Sequence, residues 1–166
     1  MNLPSKIISG AQTGVDRAAL DFAIERGIPH GGWCPRGRRA EDGRIHHHYE
    51  LTETPSDGYE QRTEWNIIEA SATLVLYDGR VPMSPGTRKT LDLAKMVSRA
   101  RGGGPSSWRY RMEINLHPDA IPAMSLRRWI EEISPDLRVL NIAGPRESKA
   151  PGIHAATLAL LREVWP

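Results

Sequence analysis

Three short segments of the chain put glycine beside small hydroxyl or amide side chains: Gly10-Ala11-Gln12-Thr13-Gly14, Ser84-Pro85-Gly86-Thr87 and Gly144-Pro145-Arg146-Glu147-Ser148. The chemistry open to such segments is the cradling of an anion. Glycine lets backbone N–H groups come close to the ligand, and a helix that begins just afterwards adds the positive end of its dipole. On this reading Gly10, Gln12, Thr13, Gly14, Gly86, Thr87, Gly144 and Ser148 supply backbone or hydroxyl donors. Arg36, Arg38, Arg39 and Arg146 supply the planar, permanently charged forks that match phosphate oxygens. Asp16 is a candidate either for capping the first helix or for accepting a hydrogen bond from a ligand hydroxyl. The first segment is neither G-x-G-x-x-G nor G-x-x-x-x-G-K-[ST], so neither a dinucleotide fingerprint nor a Walker nucleotidase follows from it.

Other residues point less sharply. His46-His47-His48 are consecutive and have no acidic or cysteine partner at the usual zinc spacing, so the expectation is an exposed loop without metal. Cys34 stands alone, between Trp33 and Pro35, and reads as a small buried hydrophobe. Arg62, Thr63 and Asn66 share one helical turn, and Arg62 could aim at the anion site. No nucleophile stands beside a base. An enzyme reading, as a nucleotide hydrolase or N-glycosidase, would have to use Asp16 or Glu147 as general acid/base, and the sequence leans away from it. The acid-free basic stretch from Arg99 to Arg111 is the one feature that would suit a nucleic-acid module, which the charge balance otherwise disfavours.

These loops need elements to hold them. Lys6–Ser9 reads as a strand and Val15–Arg26 as a helix, with Thr13 and Asp16 resembling a capping box and Gly27 as its stop. Gly31 to Asp57 is an irregular stretch with a short strand around Trp33, long enough to suggest function. A helix over Tyr59–Ala70 places Trp65, Ile68 and Ala72 near one face. Thr73–Tyr77 reads as a buried strand, and a helix with Leu91, Ala94, Lys95 and Ser98 follows the second glycine loop. Met112, Ile114 and Leu116 alternate as a strand near a sheet edge. Pro122 opens a helix whose Leu126, Trp129, Ile130 and Ile133 form one stripe. Arg138–Ile142 is the last strand, and a final helix carries Ile153, Leu160, Leu161 and Val164. Strands alternating with helices specify an α/β, doubly wound, mostly parallel sheet of about five strands with helices on both faces. In that fold ligands bind at the carboxyl ends of the strands, where all three glycine loops should open.

Composition sets the outer limits. The chain has 166 residues, 39% of them hydrophobic, with 22 Lys+Arg against 20 Asp+Glu. That length gives the expectation of a single domain over residues 1–166. The 15 glycines and 13 prolines together stay below the ~25–30% that marks low complexity. One cysteine excludes an internal disulfide and suits a reducing compartment. The opening MNLPSKIISG lacks a signal-peptide core, and no run approaches ~18 apolar residues, so the expectation is a cytoplasmic protein without a membrane span.

The residues also resemble a known family. Ser9-Gly10-Ala11-Gln12-Thr13-Gly14-Val15-Asp16-Arg17-Ala18-Ala19-Leu20-Asp21 is similar to the signature of the molybdenum carrier family, relatives of molybdenum-cofactor carrier proteins. Gly31 to Gly43, with Trp33-Cys34-Pro35-Arg36-Gly37-Arg38-Arg39, resembles its second and most specific block. Arg62-Thr63 with Asn66, Ser84–Thr87, and Gly144–Ser148 with Pro151-Gly152 resemble later ones. The resemblance implies a Rossmann-like fold in a superfamily of nucleotide-ligand-binding domains that also holds DNA-processing proteins and phosphoribohydrolases. It implies a phosphate-bearing small molecule as partner, with molybdenum cofactor (molybdopterin, a pterin with a terminal phosphate) as the named cargo; a homo-oligomer is a separate expectation. The chain departs from the phosphoribohydrolases at Thr90, where their catalytic glutamate would stand. It has His46 after Ile45 where the family usually has proline, and its Arg99–Arg111 segment looks longer than usual.

Overall fold

The computed structural model describes residues 3–102, 110–117, 120–134 and 136–166. Most of the basic stretch between Arg99 and Arg111 therefore lies outside the described residues. Three apolar segments form the middle of one sheet: β1 (Lys6–Ile8), β7 (Ala72–Tyr77) and β9 (Val139–Ala143). Their side chains are covered on both faces, which is why they read as continuous apolar runs rather than alternating ones. The five-stranded sheet runs β2-β1-β9-β7-β8, with β2 at His30–Gly31 and β8 at Arg111–Asn115 as its edges. Every pairing in it is parallel. Register brings Ile7 beside Leu140, and Leu140 beside Ala72, across the centre.

Helices cover both faces. α1 (Val15–Glu25), α4 (Pro122–Ile133) and α5 (Ile153–Val164) lie together, and α2 (Tyr59–Glu69) packs with α3 (Pro85–Gly102). α1 presents Ala18, Ala19, Phe22 and Ala23 inward, and Phe22 meets Trp165 with ring centroids 6.0 Å apart. The Leu126, Trp129, Ile130 and Ile133 stripe of α4 is buried as its spacing requires.

Four local expectations change. The strand around Trp33 exists as β3 (Trp33–Cys34), but it pairs with β6 (Thr52–Glu53) away from the main sheet. The fifth strand of the main sheet is instead His30–Gly31, whose two residues carry no apolar run to betray it. No capping box forms: Gly14 is the N-cap of α1 and no side chain caps it. The physical reason is Gly14's φ of 77°, together with its Cα approach to the β9 loop, where a Cβ would lie 2.4 Å from the Pro145 carbonyl oxygen. Last, α2 buries Asn66 and Ile67, while Ile68 is exposed. Asn66 faces inward because its amide takes both polar groups of Trp33, accepting from N–H at 2.8 Å and donating to C=O at 2.9 Å.

The long irregular stretch is ordered by its own interactions. It contains a hairpin of β4 (Arg39–Ala40) and β5 (Gly43–Arg44). Beneath it lies a second small core of Ala11, Leu20, Cys34, Ile45 and Tyr49. Cys34 is a free, buried thiol there, and burial pushes its pKa up.

Candidate functional site

Because the strands are parallel and each returning helix runs back against them, the first turns of α1, α2 and α3 converge at the carboxyl edge of the sheet. The cleft they enclose has about 90 Å3 of room and is lined by Gln12, Asp16, Tyr59, Arg62, Thr63, Ser84, Gly86, Thr87, Thr90, Ala143, Gly144 and Arg146. Past Tyr59, Thr63, Gly86 and Arg146 it opens into a wider groove of about 500 Å3 between α2 and α3, with Pro85 and Leu93 on its wall. Ligand pockets usually occupy ~300–1,000 Å3, so the inner chamber suits one small polar group and the groove suits the body of a molecule.

The floor is a buried ion pair. Asp16 in the first turn of α1 is 2% exposed, and its Oδ2 accepts from Arg62 Nη1 at 2.9 Å. Burial raises the Asp16 pKa, while Arg62 and the backbone N–H groups of Gln12 and Gly144 pull it back down. Arg62 reaches Asp16 over Gly10, so Gly10 contributes space rather than a donor.

Gln12 forms one wall. Its Oε1 accepts from the backbone N–H of Thr13 at 3.1 Å and of Glu41 at 2.8 Å. Those two bonds fix which way the amide faces, and its buried Nε2 has no hydrogen-bond partner among the described residues. A buried donor without an acceptor is costly in a native fold, and an acceptor supplied by a ligand or a water would remove that cost. The opposite wall is the start of α3. The Ser84 hydroxyl accepts from Thr87 N–H at 3.2 Å, and Gly86 and Thr87 line the cleft at the positive end of an 18-residue helix. Arg146 closes the mouth, with its guanidinium 5.5 Å from the centre of the Tyr59 ring and Arg62 at 5.9 Å.

The structure thus brings Gln12, Asp16, Gly86, Thr87, Gly144 and Arg146 to one cleft. Thr13, Gly14 and Ser148 lie beside it and join the loops: Thr13 Oγ1 accepts from Glu147 N–H at 3.1 Å, and Ser148 contacts Glu41. Arg36, Arg38 and Arg39 do not line the cleft. Arg38 donates to the carbonyls of Ile45, His46, Tyr49 and Leu51, holding the 45–51 backbone. Arg39 faces Asp57 at 3.6 Å, and Arg36 is exposed.

From the sequence Tyr59 has no assigned role, Ser84 and Thr63 appear only as members of their motifs, Thr90 only as a departure from a catalytic glutamate, and Arg62 only as a residue that could aim at the site. The available signal was the i, i+3, i+4 spacing of Tyr59, Arg62 and Thr63, which puts an aromatic ring, a cation and a hydroxyl on one side of a helix's first turn. The three histidines sit apart from the cleft, with the His46 and His48 rings tilted at 45° to each other and 4.6 Å between centroids. Among the described residues no group of three His, Cys, Asp or Glu could hold a metal.

Comparison with known proteins agrees with this architecture. A crystal structure of a protein from Syntrophus aciditrophicus, named a putative molybdenum carrier protein, is 39% identical, covers 98% of this chain and 96% of that one, and superposes with a TM-score of 0.84. No curated protein matches the chain. The model of one family matches residues 7–165, nearly the whole length described above. The chain belongs to the circularly permutated YpsA SLOG family.

Proposed function

We propose that the protein binds and carries a phosphate-bearing small molecule, whose phosphate enters the inner chamber and whose body lies in the outer groove. The observation that carries this reading is Gln12, a residue of the chamber lining whose Oε1 is held by two backbone N–H groups and whose buried Nε2 has no hydrogen-bond partner among the described residues. Arg62, Arg146 and the start of α3 add positive potential around the same space. Molybdenum cofactor is the candidate cargo, supported by the name of the Syntrophus protein. Its phosphate and ring suit the donors and the Tyr59-lined groove. Among the described residues lining chamber and groove there is no thiol or imidazole, so this chain would grip the organic part and leave the metal to the cargo's own atoms.

The enzyme reading has less support. Asp16 is engaged by Arg62, and the Glu147 carboxylate accepts from the N–H groups of Gly152 and His154. No helix among the described residues is long and apolar enough to cross a membrane. Native mass spectrometry of the purified protein is the test. A co-purifying phosphorylated species, released on denaturation and lost in Gln12→Glu, is the expected result. Turnover of that species into a dephosphorylated or base-released product would replace the carrier reading with the hydrolytic one.

A further inference from the structure

One carboxylate of the chain itself lies on donors that the proposed ligand would use. At the tip of the β4–β5 hairpin, Glu41 turns toward the β9 loop. Its Oε1 accepts from the Thr13 hydroxyl and, at 3.2 Å, from Ser148 N–H. Its Oε2 accepts from the Ser148 hydroxyl and faces Arg146 Nη1 at 3.8 Å. Two hydroxyls, a backbone N–H and a guanidinium around one pair of oxygens are the donor set of an oxyanion seat. Arg146 also lines the inner chamber, so the seat and the chamber adjoin.

The hairpin is anchored independently of this carboxylate. Glu41 N–H donates to Gln12 Oε1 at 2.8 Å, and the neighbouring Asp42 accepts from Arg17 Nη2 at 3.2 Å. The Glu41 side chain can therefore leave its place while the hairpin backbone stays and Gln12 keeps its orientation.

We propose that Glu41 is an internal occupant of a second anion seat, formed by Thr13, Ser148 and Arg146, and that its carboxylate is displaced when a ligand with two linked anionic groups binds. This rests on the anion reading of the chamber given above. The chemical class it specifies is a diphosphate-type ligand: one oxyanion meets Gln12 and Arg62, and the second takes the place of the Glu41 carboxylate. A ligand that reaches the second seat must then compete with a carboxylate already satisfied there, so Glu41 lowers its affinity, while an anion confined to the chamber does not displace Glu41.

The test is calorimetric titration of inorganic pyrophosphate into wild type, Glu41→Gln and Asp57→Asn. Glu41→Gln keeps the side-chain shape and the backbone bond to Gln12 but removes the competing charge. Hydrogen bonds to charged groups differ from neutral ones by enough that its affinity should rise roughly tenfold. Asp57→Asn removes one charge outside the seat, and its affinity should stay within about twofold of wild type. Equal or lower affinity in Glu41→Gln would overturn the proposal, as would an equal gain in Asp57→Asn, which would mean a general field effect. Pyrophosphate binding to none of the three proteins would overturn the anion reading of the chamber and this proposal with it. Equal binding to all three would overturn only the internal occupant. A second readout needs no substitution: the Glu41 carboxyl 13C resonance in wild type should move to that of a solvated glutamate at saturation. An unmoved resonance with pyrophosphate bound would equally overturn displacement.

Discussion

Arg62 on α2 reaches Asp16 on α1 through space that exists because residue 10 has no side chain. A Cβ on Gly10 would lie 1.8 Å from Arg62 Nη1, and the ion pair beneath it closes at 2.9 Å. Helices on opposite faces of the sheet are thus tied at the edge where the ligand is proposed to enter. The pair also sets a cation in the chamber wall that neither helix could position alone.

Removing Arg62 should uncover the cost of its partner. Arg62→Ala leaves Asp16 buried without its counter-ion, and breaking a buried pair from one side costs about 3–5 kcal/mol. The pKa of Asp16 is already raised by burial and should rise further without Arg62. A carboxyl group whose folded pKa lies above its unfolded value stabilises fully below the unfolded value and loses that contribution as pH rises through the folded one. The deficit of the variant relative to wild type should therefore be larger at pH 7–8 than near pH 4, as urea denaturation across that range would show. A pH-independent deficit would mean that Asp16 does not carry the effect.

Gln12→Glu separates the support that Gln12 gives from the donor it offers. One carboxylate oxygen can still accept from Thr13 and Glu41, but the other is buried where Nε2 stood and has no counter-ion, so the fold should lose about 3 kcal/mol while staying folded. The Nε2 donor is replaced by a negative oxygen, and binding of a phosphorylated ligand should fall by about a hundredfold or more. Calorimetry with the species identified by native mass spectrometry measures the binding, and denaturant melts the stability.

Arg38 and Arg146 should behave oppositely although both are arginines in glycine-bearing loops. Arg38→Ala strips donors from four carbonyls of the 45–51 segment and should cost about 2 kcal/mol. At ~2–4 °C per kcal/mol for a chain of this size, the melting temperature should drop by about 4–8 °C with ligand affinity little changed. Arg146→Ala should weaken binding about tenfold and move the melting temperature by less than about 2 °C. Thermal melts and titrations on both variants check the pair.

Asn66→Ala should loosen the segment that carries the hairpin. It leaves the N–H and C=O of Trp33 without the amide that satisfies both, at a cost of about 2–3 kcal/mol. Hydrogen exchange at the Trp33 amide should accelerate selectively, with α4 and α5 unchanged. Asn66→Asp keeps the acceptor for the Trp33 N–H but sets a buried carboxylate oxygen against the Trp33 carbonyl, so it should cost at least as much as Asn66→Ala.

The alternation of apolar strands and amphipathic helices was enough, in the sequence alone, to specify a parallel sheet with its glycine loops on one edge. Those signals are local: a buried strand must be apolar, a covering helix must carry a stripe such as Leu126, Trp129, Ile130 and Ile133, and parallel connection leaves one edge for the loops. Gln12, Gly86, Thr87, Gly144 and Arg146 were legible because they stand in those loops. The partners of charged side chains were not legible, since a guanidinium reaches several ångströms and its direction depends on what lies opposite. Arg38 and Arg62 show both sides of this. Arg38 sits in the most basic-looking segment, yet it turns to the carbonyls of its own loop. Arg62 sits on an ordinary-looking helix, yet it becomes the floor of the chamber, because Gly10 and Asp16, 52 and 46 positions away in the chain, meet it only in the folded state. Tertiary structure likewise chose His30–Gly31 as the fifth strand, through backbone pairing to Ile7 and Ile8 that no side-chain pattern records.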